Sequence, residues 1–398
     1  MEILTTGGGL AVLISLWAVE ARRLSRLRAA LPLRIAITGT RGKSTVTRML
    51  AAVLRASERI VTAKTTGSRP RLILPDGREE AILRRGRPTP HEQRRLLRRA
   101  VELGSDVLVA EMMSIRPESI HAESRLLLRP HILVITNALS DHWEHWGRTR
   151  EEAARCLASA VPAAGRVYIP ENEIRPVFRE TAAARGSEIV PVGSPESREP
   201  MGATSNRADA WPENESLVRA VAADLALGAE TIREGLSRFR PDFGAPRAWR
   251  LPDGRAGRPR IGVSAFAAND PVSSHRALRR VARIREAAGW ARIGLLNLRG
   301  DRADRTLQWL EALSRGEFAE LDGLAVVGGF SAPFARRLGR AGAILPVKRL
   351  SGDSPAHWMR ELDEFAPGGA VVLGLGNIAG AGAALIEEWN RRGTPIAL

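Results

Sequence analysis

The chain has 398 residues, of which 44% are hydrophobic, and at roughly 150 residues per domain this length allows two or three packed domains. Its formal net charge of +16 favours an anionic partner such as nucleic acid, a lipid headgroup surface or an acidic substrate. The single cysteine, Cys156, excludes an intrachain disulfide framework and a cysteine-rich zinc site, and it fits a reducing compartment.

The basic residues are almost all arginine. Lys43, Lys64 and Lys348 are the only lysines, so part of the positive charge reflects a preference for arginine over lysine. The charge therefore carries little weight as a sign of nucleic-acid binding, and no zinc-finger spacing or RNA-recognition motif accompanies it. A lysine kept in such a chain indicates a position that needs a compact ammonium group.

An apolar stretch covers residues 3–19, interrupted by two threonines, a run of three glycines and a serine, and arginines follow it. A helix of this length rises about 25 Å, just under the thickness of the hydrocarbon core of a bilayer. The pattern predicts a membrane-anchor helix with a basic flank at residues 1–30, and the arginines place the rest of the chain on the cytoplasmic side. A buried or interfacial helix is the alternative. A secretory signal is disfavoured because the positive charge follows the apolar run.

From residue 31 onward, short apolar runs alternate with longer amphipathic runs, which indicates an α/β domain with a mainly parallel sheet. The predicted strands are 33–38, 60–63, 107–110, 132–136 and 166–169, and the predicted helical stretches include 44–56, 90–102 and 213–238. Prolines and glycines in residues 69–87 predict a loop or small hairpin. We expect this central domain to span residues 31–246.

The C-terminal part repeats the alternation on a smaller scale. Prolines and glycines between residues 241 and 257 predict a linker. Strands are then predicted at 260–265, 292–296, 323–327 and 370–373, again separated by helices. We expect a smaller α/β domain at residues 247–398, with a hinge for domain closure near residues 240–250.

The sharpest motif is IAITGTRGKST at residues 35–45, an apolar strand followed by a glycine turn and a helix. Glycines let backbone N–H groups surround phosphate oxygens, and the helix N-terminus adds positive potential. Lys43 is placed to reach terminal phosphates, and the Ser44 hydroxyl is placed to bind Mg²⁺. Ile37 stands where the full P-loop consensus has its first glycine. The motif predicts a nucleotide site formed by Gly39, Thr40, Arg41, Gly42, Lys43, Ser44 and Thr45.

Other polar residues occupy positions typical of ligand sites. Glu111 ends an apolar strand, and carboxyl ends of parallel strands are where open α/β sheets bind ligands. Asp141, His142, Glu144 and His145 crowd together, and it stays open which of them would bind a metal and which are simply solvated. Asn214 follows a proline and suits either a helix cap or a base contact. Asn269 and Asp270 precede Pro271 in a segment that is also typical of an ordinary turn.

The compact form Gly-Thr-x-Gly-Lys-Ser-Thr resembles the Mur ligase superfamily, and further motifs follow in that family's order. The resemblance implies that Glu111 binds magnesium, His142 binds a second metal ion and Asn214 contacts the nucleotide base. Residues 266–271 and the run Gly300-Asp301-Arg302 resemble motifs of the family's C-terminal domain. The implied fold is a P-loop Mur-ligase-type central ATPase domain with a mainly parallel sheet and a smaller Rossmann-like C-terminal domain, preceded by the N-terminal apolar helix.

Within the superfamily, the chain most resembles the ligase subunit of poly-γ-glutamate capsule synthase. The shared features are the apolar N-terminus, the early P-loop, residues 64–67 (KTTG), 92–95 (EQRR), 266–271 and 374–378. The resemblance implies an ATP-dependent ligase that forms γ-glutamyl peptide bonds, releases ADP and phosphate, and uses ATP and Mg²⁺. It also implies a location at the cell membrane, with the catalytic domains on the cytoplasmic side and small membrane subunits as partners. The substrate would be glutamate or a poly-γ-glutamate chain, and no nucleic-acid partner is expected.

The sequence departs from the usual pattern of Mur ligases in two respects, and these limit the members of the superfamily that it can resemble. Many Mur ligases carry a carbamylated lysine near the position where this chain has Ala154, Arg155 and Cys156. A second metal site would therefore be built differently or be weaker. The domain with which peptidoglycan ligases bind a UDP-sugar is not expected here, because the P-loop begins within forty residues of Met1. A peptidoglycan substrate is therefore not expected either.

The expected mechanism passes through an acyl phosphate. A glutamate carboxylate attacks the γ-phosphate of ATP, and the amine of an incoming glutamate then displaces phosphate to form the amide. The expected catalytic residues are Lys43, Glu111, His142 and Arg302. Lys64, Asn269 and Asp270 are expected to contact the substrate.

Three questions stay open at the level of the sequence. The arginine-rich segment 84–99 suits either a solvated helix face or a binding surface for a polyanionic product. A folylpolyglutamate-synthase-like ligase is one alternative function, although the apolar N-terminus and the form of the P-loop argue against it. A P-loop ATPase without ligase activity is another, and a C-terminal domain with its own turn motifs argues against that.

Overall fold

The protein is described by a computed structural model over residues 2–67, 69–84, 86, 88–139, 143–193, 212–253, 257–281, 284–342 and 345–396. Contacts between α-carbons divide the chain into two compact units. Of the described residues, unit 1 contains those up to Arg240, and unit 2 contains those from Pro241 onward. The division predicted from the sequence lay after residue 246, inside unit 2.

Unit 1 is built from one large sheet with helices on both faces. Its helices are α1 (Glu2–Ala29), α2 (Lys43–Ala56), α3 (Glu92–Glu102), α4 (Pro117–His121), α5 (Trp143–Trp146), α6 (Arg150–Ala158), α7 (Pro176–Ala184), α8 (Pro212–Asp224) and α9 (Ala229–Arg238). Its strands are β1 (Leu33–Thr38), β2 (Val61–Thr65), β3 (Arg71–Ile73), β4 (Glu79–Ala81), β5 (Val107–Glu111), β6 (Ile132–Ile135), β7 (Arg166–Pro170) and β8 (Glu188–Val192). A π-helical segment covers Ala122–Leu128, and a 3₁₀ turn covers Glu171–Glu173.

The sheet of unit 1 has the strand order β4-β3-β2-β5-β1-β6-β7-β8. The six strands in the order β2-β5-β1-β6-β7-β8 pair in parallel, whereas β3 and β4 add an antiparallel hairpin at the β2 edge. The central strands are apolar along their whole length because helices cover both faces of a parallel sheet. The hairpin lies within the predicted insertion at residues 69–87. The prediction of a mainly parallel α/β sheet is confirmed.

The two faces of this sheet are covered by different helices. Helix α2 packs on β2 and β5 at one face, helix α9 packs against α2, and helix α8 contacts both α2 and strand β7. On the other face, a core cluster contains Leu97 of α3, Leu128 of the π-helical segment, Leu157 of α6 and Phe178 of α7. The carboxyl ends of β1, β5 and β6 meet at one edge, where residues that follow these strands come together.

A close contact between α2 and α9 depends on a glycine. It predicts that alanine substitutions at two helical glycines have different effects on stability. A Cβ atom at Gly235 would lie 2.4 Å from the Cα atom of Val53, whereas a Cβ atom at Gly339, in the later helix Ser331–Arg340, would meet nothing within 4 Å. We expect Gly235→Ala to destabilise unit 1 by about 1–3 kcal/mol, because a packed interface must shift. Gly339→Ala, the control, should be neutral or slightly stabilising. Thermal unfolding of both variants checks this, and equal unfolding temperatures would contradict it.

Helix α1 is only partly packed against unit 1. Near its C-terminal end Leu24 joins the core, and Glu20 accepts a hydrogen bond from Arg94 of α3 at 2.6 Å. Further upstream the apolar side chains are more than half exposed, namely Val12, Leu13, Ile14, Leu16, Trp17 and Val19.

The membrane-spanning anchor predicted at residues 3–19 is not supported. None of the helices in the described part of the chain combines the length and the apolar character needed to cross a membrane. The physical reason is the dilution of the apolar run by two threonines and three glycines before it reaches the arginines.

Unit 2 is a second α/β sheet. Its helices are α10 (Pro271–Val281), α11 (Ala303–Ser314), α12 (Ser331–Arg340), α13 (Pro355–Phe365) and α14 (Ala381–Arg392), with 3₁₀ turns at Phe266–Ala268 and Arg285–Ala287. Its strands are β9 (Arg247–Leu251), β10 (Arg260–Ser264), β11 (Ala291–Leu298), β12 (Gly323–Gly328), β13 (Val347–Arg349), β14 (Ala370–Gly376) and β15 (Thr394–Ile396).

The strand order in unit 2 is β13-β12-β11-β14-β10-β9-β15. Strands β10 to β14 pair in parallel, while β9 and β15 form antiparallel pairs at one edge. The linker predicted at residues 241–257 is therefore wrong in part, since it contains β9. This strand is held by Trp249, which is buried against Trp389 of α14 with ring centroids 5.8 Å apart.

Candidate active site

The P-loop joins β1 to α2 in unit 1. Gly39 and Gly42 have φ angles of 125° and 85°, a region that strains any residue with a Cβ atom. A Cβ atom at Gly39 would lie 2.2 Å from the Thr136 hydroxyl, and one at Gly42 would lie 2.5 Å from the Asn214 amide oxygen. Both glycines are therefore required by backbone conformation and by space. The loop ends at the N-terminus of α2, whose unpaired N–H groups suit phosphate oxygens.

Residues that follow β6 hold this loop in place. The Thr40 backbone N–H donates to the Asn137 carbonyl at 3.1 Å, and the Thr40 hydroxyl donates to the Leu139 carbonyl at 3.0 Å. The Arg41 N–H donates to the Asn137 side-chain oxygen at 2.9 Å, and the Thr136 hydroxyl donates to the Arg41 carbonyl at 2.6 Å. The loop is thus fixed at both Thr40 and Arg41 before any ligand binds, which reduces the ordering cost of binding.

Lys43 is the first residue of α2, and its ammonium group lies over the loop. Its Nζ donates to the Gly39 carbonyl at 2.6 Å and to the Thr40 carbonyl at 3.2 Å. The charge is therefore held beside the backbone N–H groups that begin α2. This arrangement can neutralise phosphate oxygens that bind against the loop.

Ser44 and Glu111 form the second polar pair of the site. Strand β5 pairs with β1 so that Glu111 lies opposite Ile37, which brings the last residue of β5 beside the P-loop. The Ser44 hydroxyl donates to Glu111 Oε2 at 2.8 Å, and the Thr66 N–H donates to the same oxygen at 2.8 Å. Glu111 is buried, with 2% of its surface exposed.

This donor set fits a divalent cation. A hydroxyl and a carboxylate supply the oxygen ligands that a hard cation prefers, and Mg²⁺ is usually bound by one or two carboxylates together with substrate phosphates. Within the described residues, no group of three or more His, Cys, Asp or Glu side chains is arranged to hold a metal ion without such phosphates. Ser44 and Glu111 are therefore the residues that would hold a metal ion together with a nucleotide.

A cavity of about 220 Å³ is lined by both Lys43 and Glu111. Its lining also includes Gly39, the residues 112–115 that follow Glu111, Arg84 and Trp146. The Trp146 indole donates to the Ile115 carbonyl at 2.6 Å, so the ring is fixed against the segment that follows β5. The Ser114 hydroxyl is buried there, and none of the described residues hydrogen-bonds to it. The cavity is large enough for phosphate groups and has polar atoms to receive them.

Asn214 packs directly against the P-loop. It lies in the first turn of α8 and is buried, with its amide beside Gly42. Among the residues that the structure describes, its Nδ2 atom has no hydrogen-bond partner. A buried amide donor without a partner is costly, and a ligand acceptor would satisfy it.

Lys64 is buried close to the cavity instead of lining it. Its Nζ lies 3.2 Å from the Glu92 carboxylate, and Glu92 also accepts from Arg84 at 2.7 Å. Only 1% of Lys64 is exposed, and burial lowers the pKa of its ammonium group, an effect that the Glu92 charge opposes. The structure therefore places Lys64 in an ion pair beside the phosphate cavity.

A buried network that the sequence did not reveal supports the segment after β5. The Glu123 carboxylate lies in the π-helical segment and accepts from the Met113 N–H at 3.0 Å and the Ser114 N–H at 2.9 Å. Gln93 of α3 donates to the same carboxylate and to the Glu111 carbonyl. π-helical segments frequently occur at functional sites. The signal in the sequence is weak, since Glu123 stands among ordinary polar residues.

The predicted second metal ligand lies outside the described residues. This applies to His142 and to its neighbour Asp141, whereas the nearby His145 is exposed. In the segment near which the resemblance places a carbamylated lysine, Ala154 is buried in α6 and Cys156 is half-buried. The nature of a second metal site therefore stays a prediction.

The C-terminal candidates have structural partners within unit 2. Asn269 has a left-handed φ of 55°, and its amide, in the orientation that satisfies both ends, donates to the Gly376 and Phe266 carbonyls and accepts from Arg305. Asp270 accepts from the Ser273 N–H at 2.9 Å and so caps α10. Arg302 binds Asp304 at 3.1 Å. These contacts fix the two turns.

Unit 2 also has its own cavity of about 920 Å³ at the carboxyl ends of its parallel strands. Asn297, Asp301, Gly328 and Arg349 line it, together with Trp358. In open α/β sheets this edge is the usual position for a ligand.

Comparison with known proteins agrees with this geometry. The profile of the Mur ligase middle domain matches residues 37–211, and that of the poly-gamma-glutamate synthase CapB C-terminal domain matches residues 252–392. The PGA synthase CapB of Bacillus subtilis (strain 168) is 30% identical over 384 residues, which cover 95% of each chain. The capsule biosynthesis protein CapB of Bacillus anthracis is 30% identical over 384 residues, covering 94% of this chain and 80% of that protein.

A solved structure with the same fold is a bifunctional folylpolyglutamate synthase/dihydrofolate synthase from Yersinia pestis, complexed with AMPPNP and a Mn ion. Its TM-score is 0.66, with 16% sequence identity, over 93% of this chain and 92% of the other. At that identity the likeness shows the fold alone. Together with the family profiles, the fold and the phosphate site define an ATP-dependent amide ligase of the Mur ligase type. Within this class, the chain belongs to the CapB family.

Proposed function

We propose that this ligase forms γ-glutamyl peptide bonds, as in poly-γ-glutamate synthesis, through an acyl phosphate and with release of ADP and phosphate. The observation that carries the proposal is the relationship to the B. subtilis PGA synthase along 95% of both chains. A cavity bounded by the P-loop, Lys43 and Glu111 supports the phosphoryl-transfer step.

The protein groups have separable roles in this mechanism. MgATP is substrate, and its phosphates lie against the backbone N–H groups that begin α2. Lys43 offsets the negative charge that spreads over the transferring phosphoryl group, a type of stabilisation that is often the largest in such reactions. The hydrogen bonds between the P-loop and residues 136–139 keep these groups aligned.

Ser44 and Glu111 would hold Mg²⁺ together with the nucleotide phosphates. A bound Mg²⁺ supplies charge neutralisation on the phosphate oxygens. His142, or one of its acidic neighbours, is proposed as a ligand of a second ion. Arg302, Asn269 and Asp270 are proposed to contact the phosphate or the glutamate through the C-terminal domain, and Lys64 acts near the carboxylate that is activated.

The proposal places the enzyme at the cytoplasmic face of the cell membrane, attached through residues 3–19 and working with small membrane subunits. The exposed apolar side chains of α1 and the arginines that follow them support this. Co-sedimentation of the full chain with phosphatidylglycerol vesicles tests it, and a protein that stays in the supernatant would oppose membrane attachment.

The proposed reaction is tested by measuring ADP release from MgATP by the purified full chain, with and without L- or D-glutamate and short γ-glutamyl oligomers. Mass spectrometry identifies the products. We expect glutamate to stimulate ADP release and γ-linked oligomers to form. Hydrolysis that is independent of glutamate, with no amide product even after membrane partners are added, would favour a P-loop ATPase. Extension of pteroylglutamate but not of γ-glutamyl oligomers would favour a folylpolyglutamate-synthase-like ligase.

Asn214 gives a further prediction about the nucleotide. The buried Nδ2 atom without a partner lies beside Gly42, so Asn214→Ala should raise the KM for ATP by about fivefold through loss of one hydrogen bond. The KM values for ATP and GTP are measured for both proteins. If Asn214 contacts the base, the ratio of the two KM values changes. An equal rise for both nucleotides would instead assign the effect to the P-loop backbone.

A further inference from the structure

A second cavity in unit 1, of about 620 Å³, adjoins the phosphate cavity. We call it the basic cleft. Its apolar surface includes Leu72 of β3, Ile82 and Leu96 of α3, and its basic surface includes Arg84, Arg95 and Arg99. This volume lies in the range of pockets that bind ligands larger than one amino acid. The cleft thus combines apolar and cationic surface in one cavity.

Arg84 belongs to the walls of both cavities. Its guanidinium binds the Glu92 carboxylate at 2.7 and 3.1 Å, and Glu92 also pairs with the buried Lys64. Of the residues that follow, Pro88 lines the phosphate cavity and Thr89 lines the basic cleft. The neighbouring residues Pro88 and Thr89 therefore line different cavities, and Arg84 lines both of them.

The positive charge of the cleft is available to a ligand. Glu92 is the one carboxylate among its described lining residues, and it is already paired with Arg84 and Lys64. Arg95 is exposed, and no ion pair involves it within the described part of the chain. Arg99, one helical turn later on the same face of α3, makes loose pairs of 3.9 Å with Glu80 and 3.6 Å with Glu102, and no other ion pair within the described residues.

We propose that the basic cleft binds the γ-glutamyl chain that serves as acyl substrate, so that its terminal carboxylate passes Arg84 into the phosphate cavity. This inference rests on the proposed function. Each γ-glutamyl unit has one free carboxylate and two methylene groups, which match the arginines and the apolar floor of the cleft. A single free glutamate would leave most of the cleft unfilled.

The chemistry at the junction is phosphoryl transfer. A terminal carboxylate oxygen forms a bond to the γ-phosphorus of ATP as the bond from that phosphorus to the bridging oxygen breaks, and ADP carries away the electron pair. Arg84 is a positioning residue here, because its contact with Glu92 fixes the wall past which the chain runs.

The test compares Arg95→Glu with Arg98→Glu. Both residues are exposed on α3 and the change of net charge is the same, but Arg98 does not line the cleft. Binding of a fluorescein-labelled ten-unit γ-glutamyl oligomer to the full chain is followed by anisotropy at two salt concentrations. We expect Arg95→Glu to weaken binding about tenfold at low salt, with a smaller effect at high salt, and Arg98→Glu to change it less than twofold. Arg95→Lys should restore most of the affinity.

The outcomes separate this inference from the proposed function. Equal weakening by the two charge reversals would show that the oligomer follows diffuse surface charge, and the cleft assignment would fail. Unchanged binding in Arg95→Glu would also overturn it, even where γ-linked products form from glutamate. Conversely, Arg95→Glu can lose oligomer binding while the wild-type chain forms no amide. That result would support the cleft as a binding site for the oligomer and overturn the proposal that the oligomer is a substrate of a ligase reaction.

Discussion

Replacing Lys43 by alanine is expected to lower the rate of glutamate-dependent ADP release by about 10²- to 10³-fold, the usual cost of removing one group that stabilises developing charge. The ammonium of Lys43 is held over the P-loop by the Gly39 and Thr40 carbonyls, beside the N–H groups that begin α2. No other lysine lines the phosphate cavity in the described residues. The effect should appear mainly in kcat, because the charge being stabilised develops during transfer.

Lys348→Ala is the matched control for Lys43→Ala. Lys348 lies on the short strand β13 of unit 2, where its Nζ donates to the Glu361 carbonyl and pairs with Glu364 at the surface. The same atoms are removed in both variants, so a general effect of losing a lysine would appear in each. ADP release near the wild-type rate in Lys43→Ala, with folding intact by circular dichroism, would remove Lys43 from the mechanism.

The variant Lys43→Arg tests whether position 43 requires a compact ammonium group or only a positive charge. In a chain that uses arginine almost throughout, the retained lysine indicates that a compact ammonium is required at this position. We expect the arginine variant to stay strongly impaired, because a planar guanidinium does not reproduce the compact charge that the Gly39 and Thr40 carbonyls hold over the loop.

The sequence predicted the central strands of both sheets because their apolar runs are continuous. Strands β1, β5 and β6 are buried on both faces, and their composition alone distinguishes them from the amphipathic helices. The edge strands were harder to predict. Strand β8 contains Pro191, and β13 is partly exposed, so neither has a strong pattern. Strand β9 was taken for a linker because prolines flank it and two of its residues are arginines.

The same contrast holds for the candidate site. Residues 39–45 are contiguous, so the motif specifies the loop and the helix N-terminus in one reading. Glu111 could be predicted as a site residue because it ends an apolar strand. The hydrogen bonds by which Gln93 and Glu123 support the segment after β5 could not be predicted. These two side chains are thirty residues apart and meet only through the packing of α3 against the π-helical segment. The ion pair between Lys64 and Glu92 likewise depends on tertiary contact.

Glu111→Gln is expected to have an effect of similar size, for a different reason. Glutamine keeps an oxygen that can accept from the Ser44 hydroxyl and the Thr66 N–H, so the local hydrogen bonds can be retained while the negative charge is lost. Loss of a charged ligand from an oxygen-based cation site should weaken metal binding by about 10- to 100-fold and slow ADP release by at least as much. Mn²⁺ binding, followed by electron paramagnetic resonance with AMPPNP present, measures the first effect without turnover.

Glu173→Gln is the control for Glu111→Gln. Glu173 is also a buried glutamate near the end of a parallel strand, where it accepts from the Ala138 N–H and pairs with Arg150, but it does not line the phosphate cavity. Its loss should lower thermal stability and leave the Mn²⁺ affinity near that of the wild type. A comparable loss of affinity in both variants would indicate a general loosening of the sheet edge. Unchanged Mn²⁺ affinity in Glu111→Gln would show that Glu111 is not a metal ligand. The acidic and histidine residues at 141–145 would then be the candidates.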